Sequence, residues 1–261
     1  MANPPLSHVT TRRLTKPWEG AQRALFHYNF TTDSFDDETS RTLLTADESY
    51  GYEVERFLNE RVEVHLATYL DSVAAGGLST AIPWPQERAL ILSVFIQSLR
   101  VRAGRGDADA LRELRELLAK GDEYLDQFVT AARRDFRYVG GRVPAGQLLY
   151  FPSDGITALP MVGTTERLPA MLFQPTTLTT FFAAVPVGIP EETSDRQLQE
   201  AMATGLLVAF SVGLVCDRVI IPPEIRGRAD EAAMRTSIRT LRSAAEGFTR
   251  IIGQMNRMVG F

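Results

Sequence analysis

Apolar residues recur along most of this chain at three- and four-residue spacing, broken by one central stretch where they run together or alternate. Over residues 51 to 75, Val54, Leu58, Val62, Leu66, Tyr69 and Val73 fall on one stripe of a helix. Gly76-Gly77 ends it, as glycine past a last turn commonly does. Pro83 and Pro85 mark a helix entrance, where proline is tolerated. Leu90 to Val101 follows as an apolar helix with Leu90, Ile91, Val94, Phe95, Ser98 and Leu99 inward, and Gly104 to Asp107 breaks it. Residues 108 to 137 give a third helical pattern, interrupted at Gly121, with Leu111, Leu114, Leu118, Leu125, Phe128 and Val129 facing in. Thr193 or Ser194 is placed to cap a helix from Asp195 to about Val215, apolar nearly all round and therefore buried. Residues 229 to 259 form a long final helix. Its Met234, Ile238, Leu241, Ala245, Phe248, Ile252, Met255 and Val259 alternate by four and three, a heptad seam.

The central stretch, residues 147 to 186, reads as sheet. Leu148 to Phe151 is an apolar run of the kind buried on both faces, and Ser153-Asp154-Gly155 is a turn. Ile156 to Val162, Met171 to Phe173 and Leu178 to Val185 are further extended pieces, the last rich in Thr and Phe, which suit a pleated surface. Prolines 152, 160, 169, 175 and 186 punctuate them. Residues 23 to 30 read as a strand, 31 to 40 as an acidic turn, and 41 to 45 as the returning half of a hairpin. Arg218 to Ile221 is a short strand stopped by Pro222-Pro223. Together these predict an α+β fold in one domain, residues 1 to 261: a small, mostly antiparallel mixed sheet flanked by about five or six helices.

Composition narrows the picture modestly. At 261 residues and 44% hydrophobic content the chain has ample material for a core. A net charge of −4 gives no general basicity for nucleic acid. The basic residues are nearly all arginine, Lys16 and Lys120 excepted. Residues 226 to 261 carry seven arginines against three acids, a local +4 that would meet phosphate or an acidic face of a partner subunit, or simply face water. The seam at 229–259 packs within the chain or forms a homodimer contact. Cys216 stands alone, which excludes a disulfide framework or a multi-cysteine metal site within one chain. No signal peptide pattern is visible, and the longest apolar stretch, 201 to 216, falls short of the roughly 20 residues a membrane span needs. The expectation is a cytoplasmic protein without membrane contact.

Three stretches taken in order resemble a known family. They are Ser7-His8-Val9 with Arg12-Arg13-Leu14, Trp18 and the strand LFHYNF; VERFLNERVE at 54–63 with FIQSLRVR at 95–102; and LLYFPSDGI at 148–156 with the later MLFQPTTLTTFF. This order is similar to the bacterial family called domain of unknown function 4238. The resemblance covers roughly residues 7 to 220 and implies a polar site drawn from His8, Glu55, Gln97, Arg100, Ser153 and Asp154. Where that family has Pro two residues after the Asp, this chain has Ile156. Where its Arg is followed by Thr-Pro, this chain has Val101-Arg102. The family name supplies no activity.

The chemistry those residues allow divides into two classes. Glu55 and Glu63, eight apart on one helix, are offset by about 12 Å along the axis and about 80° around it, so they do not chelate one ion unaided. One of the two, Glu55 or Glu63, with Asp154 and His8, would bind Mg²⁺ or Mn²⁺, while Arg100 held a phosphate. That arrangement is a metal-dependent, nuclease-like hydrolase of phosphodiesters. Ser153 as nucleophile lacks the GxSxG elbow, and only His8, His27 and His65 would serve as a histidine base. The other class is a ligand- or partner-binding protein without catalysis, in which the same charges form a buried network fixing helices on the sheet. Glycine-rich phosphate loops are absent.

Overall fold

The computed structural model describes residues 12–43, 52–75, 82–163 and 170–258. A short helix α1 (Arg12–Thr15) and two 3-10 turns (Lys16–Trp18 and Ala21–Arg23) lead into strands β1 (Ala24–Asn29) and β2 (Ser34–Thr39), then a helical turn α2 (Ser40–Leu43). Helix α3 (Tyr52–Leu58) runs through a π-type turn (Asn59–Glu63) into α4 (Val64–Ala74). Helices α5 (Trp84–Gly104), α6 (Ala108–Ala119) and α7 (Gly121–Asp135) follow. Strands β3 (Phe136–Arg142), β4 (Phe151–Pro152), β5 (Thr157–Leu159), β6 (Met171–Pro175) and β7 (Thr180–Pro186) come next. Helices α8 (Glu191–Ala203) and α9 (Leu206–Ser211) precede β8 (Arg218–Ile220), α10 (Pro223–Arg226) and the long α11 (Glu231–Met258).

The fold is α+β, but its strands form two sheets rather than one. Among the described residues, one sheet has the order β2-β1-β8-β4 and the other β3-β7-β6-β5, and every pairing is antiparallel. The central stretch is therefore divided: Phe151-Pro152 joins the first sheet, against Ile220 and Val219, while the later pieces join the second.

Two strands lie where a turn and a helix end were expected. The hairpin partner of β1 is the acidic segment Ser34–Thr39, not residues 41 to 45. Asn29 Oδ1 accepts from the backbone N–H groups of Thr31 and Thr32, and Asp33 takes a left-handed φ of 55°, so the chain reverses earlier than its charge pattern suggests. Phe35 anchors the edge strand on Phe26, with ring centroids 5.5 Å apart. The third helical pattern stops at Asp135, and Phe136–Arg142 is a strand despite Gly140-Gly141. Gly141 lies opposite Phe181, whose ring would be 2.3 Å from an added Cβ. Glycine here leaves room for the facing aromatic.

The helices follow their periodicity closely. All six residues of the 51–75 stripe are buried. Asp107 caps α6, accepting from the N–H groups of Asp109 and Ala110, both at 3.0 Å. Gly121, at φ 79°, separates α6 from α7 as expected. The helix expected from 195 begins earlier, after Pro190, and breaks at Gly205, whose φ of 74° ends α8 and opens α9. Ser194 is not its cap; it is buried inside the first turns, accepting from Arg137 and donating to the carbonyl of Glu191.

The seam of α11 packs on its own chain as far as Ile252, while Met255 is exposed and Val259 lies outside the described residues. Met234, Ile238, Ala245 and Ile252 are buried, and Phe248 meets Phe210 of α9 edge-on at 6.1 Å. The arginines of this region find acids in the β1–β2 hairpin: Arg226 makes a bidentate pair with Asp37, and Arg235 and Arg239 converge on Asp33. Much of the local positive charge is thus answered intramolecularly. No helix among the described residues is long and apolar enough to cross a membrane.

Candidate functional site

A cavity of about 640 Å³ opens where three distant parts of the chain meet. One wall is the N-terminal turn, with Arg13, Lys16 and Pro17; the second is the last turns of α4, with Leu70, Asp71 and Val73. The third is the end of β3 and the β6–β7 connection, with Arg142, Leu148 and Thr176 to Thr180, and Glu224 completes the rim. Its size lies in the range of roughly 300–1,000 Å³ typical of small-molecule sites.

Local hydrogen bonds hold these walls in place. Trp18, fully buried against Phe151, donates Nε1–H to the carbonyl of Leu149 at 2.8 Å. Leu149 N–H donates to Leu178 O at 2.7 Å, and Val143 N–H to Thr179 O at 2.9 Å. The β6–β7 connection is thereby strapped to the chain that precedes β4.

The threonines of this connection form an ordered hydroxyl chain. Thr177 Oγ1 accepts from the N–H groups of Thr179 (3.2 Å) and Thr180 (3.1 Å). Both its lone pairs are then used, so its proton goes to Thr180 Oγ1, 2.7 Å away. Thr180 and Thr176 share one further hydrogen bond at 2.9 Å. Three hydroxyl protons serve two hydrogen bonds, leaving one O–H, on Thr176 or Thr180, with no acceptor among the described residues. Both residues are fully buried yet line the cavity. Arg142 pairs with Thr180 across the β3–β7 ladder, so strand alternation sets the two side chains on one face. Neither Arg142 nor Lys16 makes a side-chain hydrogen bond or ion pair with any described residue, nor do the rim acids Asp71 and Glu224.

The residues singled out from the sequence lie elsewhere, in two polar pairs. His8 is outside the described residues, as is the side chain of Glu55, whose backbone belongs to α3. Glu63, at the end of the π-type turn, accepts from Arg100 Nη1 at 3.4 Å; Gln97 and Arg100 are both buried on α5. Asp154 takes a different arginine: Arg105 Nη2 donates to its Oδ1 at 2.8 Å and reaches Asp217 at 3.4 Å. Arg100 and Arg105 are five residues apart, so they leave α5 about 140° apart around its axis and about 7.5 Å apart along it. Each acid has its own arginine on its own side of the helix.

Burial raises the Asp154 carboxyl above its ordinary range; Arg105 opposes that effect and Asp217 adds to it. Ser153 hydrogen-bonds the same carboxylate, and its backbone N–H donates to Arg218 O in the turn closed by Gly155. Cys216 is buried beside this corner, its thiol pushed up to about 12 by desolvation and donating to Val212 O. Such a thiol is a packing group. Among the described residues no group of three His, Cys, Asp or Glu is placed to hold a metal ion.

Comparison of the chain with models of known families, with curated proteins and with solved structures returns no match.

Proposed function

We propose that this protein binds a small organic ligand in the cavity between the N-terminal turn, α4 and the threonine connection. One observation carries this reading: a concave site of ligand size is lined by apolar side chains, Leu70 and Val73 among them, beside Lys16 and Arg142, whose side chains have no partner among the described residues. The test is saturable fluorescence enhancement of the neutral probe 1-aminoanthracene. It is expected for the natural protein and lost when Leu178→Trp fills the cavity with the far-UV circular dichroism unchanged. Absence of saturable binding, or equal binding by the filled variant, removes the reading.

The alternative is the metal-dependent hydrolase of phosphodiesters. Its favouring observation is the π-type turn that carries Glu63 to buried Arg100, since such turns are frequent at functional sites. It requires His8 and Glu55 to complete a Mg²⁺ or Mn²⁺ site with Glu63 or Asp154. A rise in melting temperature with either ion, abolished in Asp154→Ala, is its test. The motif order resembling domain of unknown function 4238 fits both readings. A homodimer through 229–259 would use the last turns of α11, where the seam residue Met255 is exposed beside Ile251 and Met258, because the earlier part of the seam is occupied.

A further inference from the structure

The outer strands of the two sheets are not finished alike. Edge strands are normally blunted by charge, proline, a bulge or shortness. β2 carries Asp36, Asp37 and Glu38, and β4 and β5 have only two and three residues. β3, the outermost strand of the second sheet, has seven residues and no proline. Its register with β7 is unbroken from Phe136 to Arg142, so it has no bulge. Its charges are Arg137, tied to Glu191 and Asp195 of its own chain, and the terminal Arg142.

The ladder on one side decides which backbone groups stay open on the other. Val187 N–H donates to Asp135 O and Val143 N–H to Thr179 O, so the odd-numbered residues of β3 are those bonded to β7. The N–H and C=O groups of Tyr138, Gly140 and Arg142 therefore point outward, without a hydrogen-bond partner among the described residues. Phe136 also turns its C=O outward, while its N–H closes α7 on Ala132 O. Gly140 and Arg142 are exposed.

We infer that this edge is a docking surface for a second copy of the chain, β3 pairing antiparallel on β3 about a two-fold axis at Val139. The strand is complementary to itself in that register. Tyr138 meets Gly140 of the second copy and Arg137 meets its Gly141, so these long side chains each face a glycine. Val139 faces its own copy, a β-branched pair suited to a ladder. Each Tyr138–Gly140 pair exchanges two hydrogen bonds, and each Arg142 N–H reaches Phe136 O. A slip of two residues either way shortens the ladder, and a slip of one sets outward groups against inward ones.

Charge fits the same partner. Arg142 makes no ion pair with a described residue, and neither does the exposed Asp135. They flank β3 at opposite ends, so the two-fold axis carries each Arg142 to the start of the other strand. There it meets Phe136, the Asp135 carboxylate and the last carbonyls of α7, a helix end that favours a cation. An unrelated extended segment satisfies the backbone groups alone; the chain's own β3 adds the matched glycines and the cation.

The experiment is sedimentation velocity of the full chain over a concentration series. A seven-residue edge buries less than a standard interface, so a dimer dissociating at about 1–100 μM is expected. Gly140→Pro removes one outward N–H from each chain and spares the bonds to β7, which come from odd-numbered residues. It should weaken the dimer about tenfold or more, with far-UV circular dichroism unchanged. Arg142→Glu should weaken it several-fold, and Asp135→Arg added to the same chain should restore it; this pair serves as the test if the proline variant does not fold. A chain that stays monomeric through a series extending past that range overturns the inference. A dimer unmoved by Gly140→Pro and Arg142→Glu does so too, and one lost in Met255→Glu but kept in Gly140→Pro belongs to α11 instead. The cavity reading is scored separately, by 1-aminoanthracene, and stands or falls on its own.

Discussion

Replacing Gln174 by methionine should make this protein more stable. Gln174 lies on β6 opposite Phe182, with none of its surface exposed. Neither Oε1 nor Nε2 has a hydrogen-bond partner among the described residues. Burying an amide without partners costs about 1–3 kcal/mol by the scale of protein substitutions. Methionine is close to glutamine in length and volume and has the flexibility to adopt the same path, so the packing term is small. The net expectation is a gain of about 1–3 kcal/mol. At roughly 2–4 °C per kcal/mol for a chain of this size, the melting temperature should rise by about 2–12 °C. Urea unfolding followed by far-UV circular dichroism gives the free energy directly, and the m-value should stay constant if only the native state has changed. Gln174→Ala is the control: it also removes the amide but leaves a void, and should lower stability relative to Gln174→Met by about 2 kcal/mol or more. A loss of 1 kcal/mol or more in the methionine variant would refute the reasoning, because it would mean that the amide is satisfied in solution.

Three further outcomes follow from the same structure. Burial holds the His27 imidazole below its ordinary pKa, only partly offset by Glu38, so the native state keeps it neutral while the unfolded chain protonates near pH 6.5. Its contribution is complete above pH 6.5 and is lost as pH falls through the lower native value; His27→Gln should flatten that stretch of the stability–pH curve, as read by urea titrations between pH 5 and 8. Cys216 should react with iodoacetamide only as fast as the chain opens, so alkylation followed by mass spectrometry should accelerate in step with urea-induced unfolding. Gly141→Ala should destabilise by about 1–3 kcal/mol because its Cβ meets the Phe181 ring, and Gly141→Ala with Phe181→Leu should lose less than the two single changes summed.

The helices were legible because burial on one face leaves a periodic trace: every member of the 51–75 stripe is buried, and the break at Gly121 falls at a left-handed turn. The two missed strands left no such trace. In β2 only Phe35 is apolar, and the acids around it are answered by Arg218, Arg226 and Arg235, from far along the chain or bound to the neighbouring turn. In β3 Gly140-Gly141 gives no strand signal, and Gly141 leaves room for the Phe181 ring of β7. The seam of α11 carried its period plainly, while its partner, α9, was not deducible from spacing alone. The cavity was invisible for a different reason. Lys16, Arg142 and Thr177 carry no pattern within their own segments that points to one another, and only folding across well over a hundred residues makes them neighbours. The charges that did draw notice, Glu63, Arg100 and Asp154, are those that the fold pairs off.

The position of β8 has a consequence for how the nascent chain matures. This three-residue strand, starting at Arg218, is wedged between β1 and β4, and Ile221 N–H also donates to Phe26 O. On the ribosome the β1–β2 hairpin emerges well before β8 and keeps one bare edge until residues 218–221 have been translated. Until then Phe26, Tyr28 and the open backbone groups of β1 are available to any passing extended segment. Polypeptides stalled before residue 218 should therefore be the species most in need of chaperone cover.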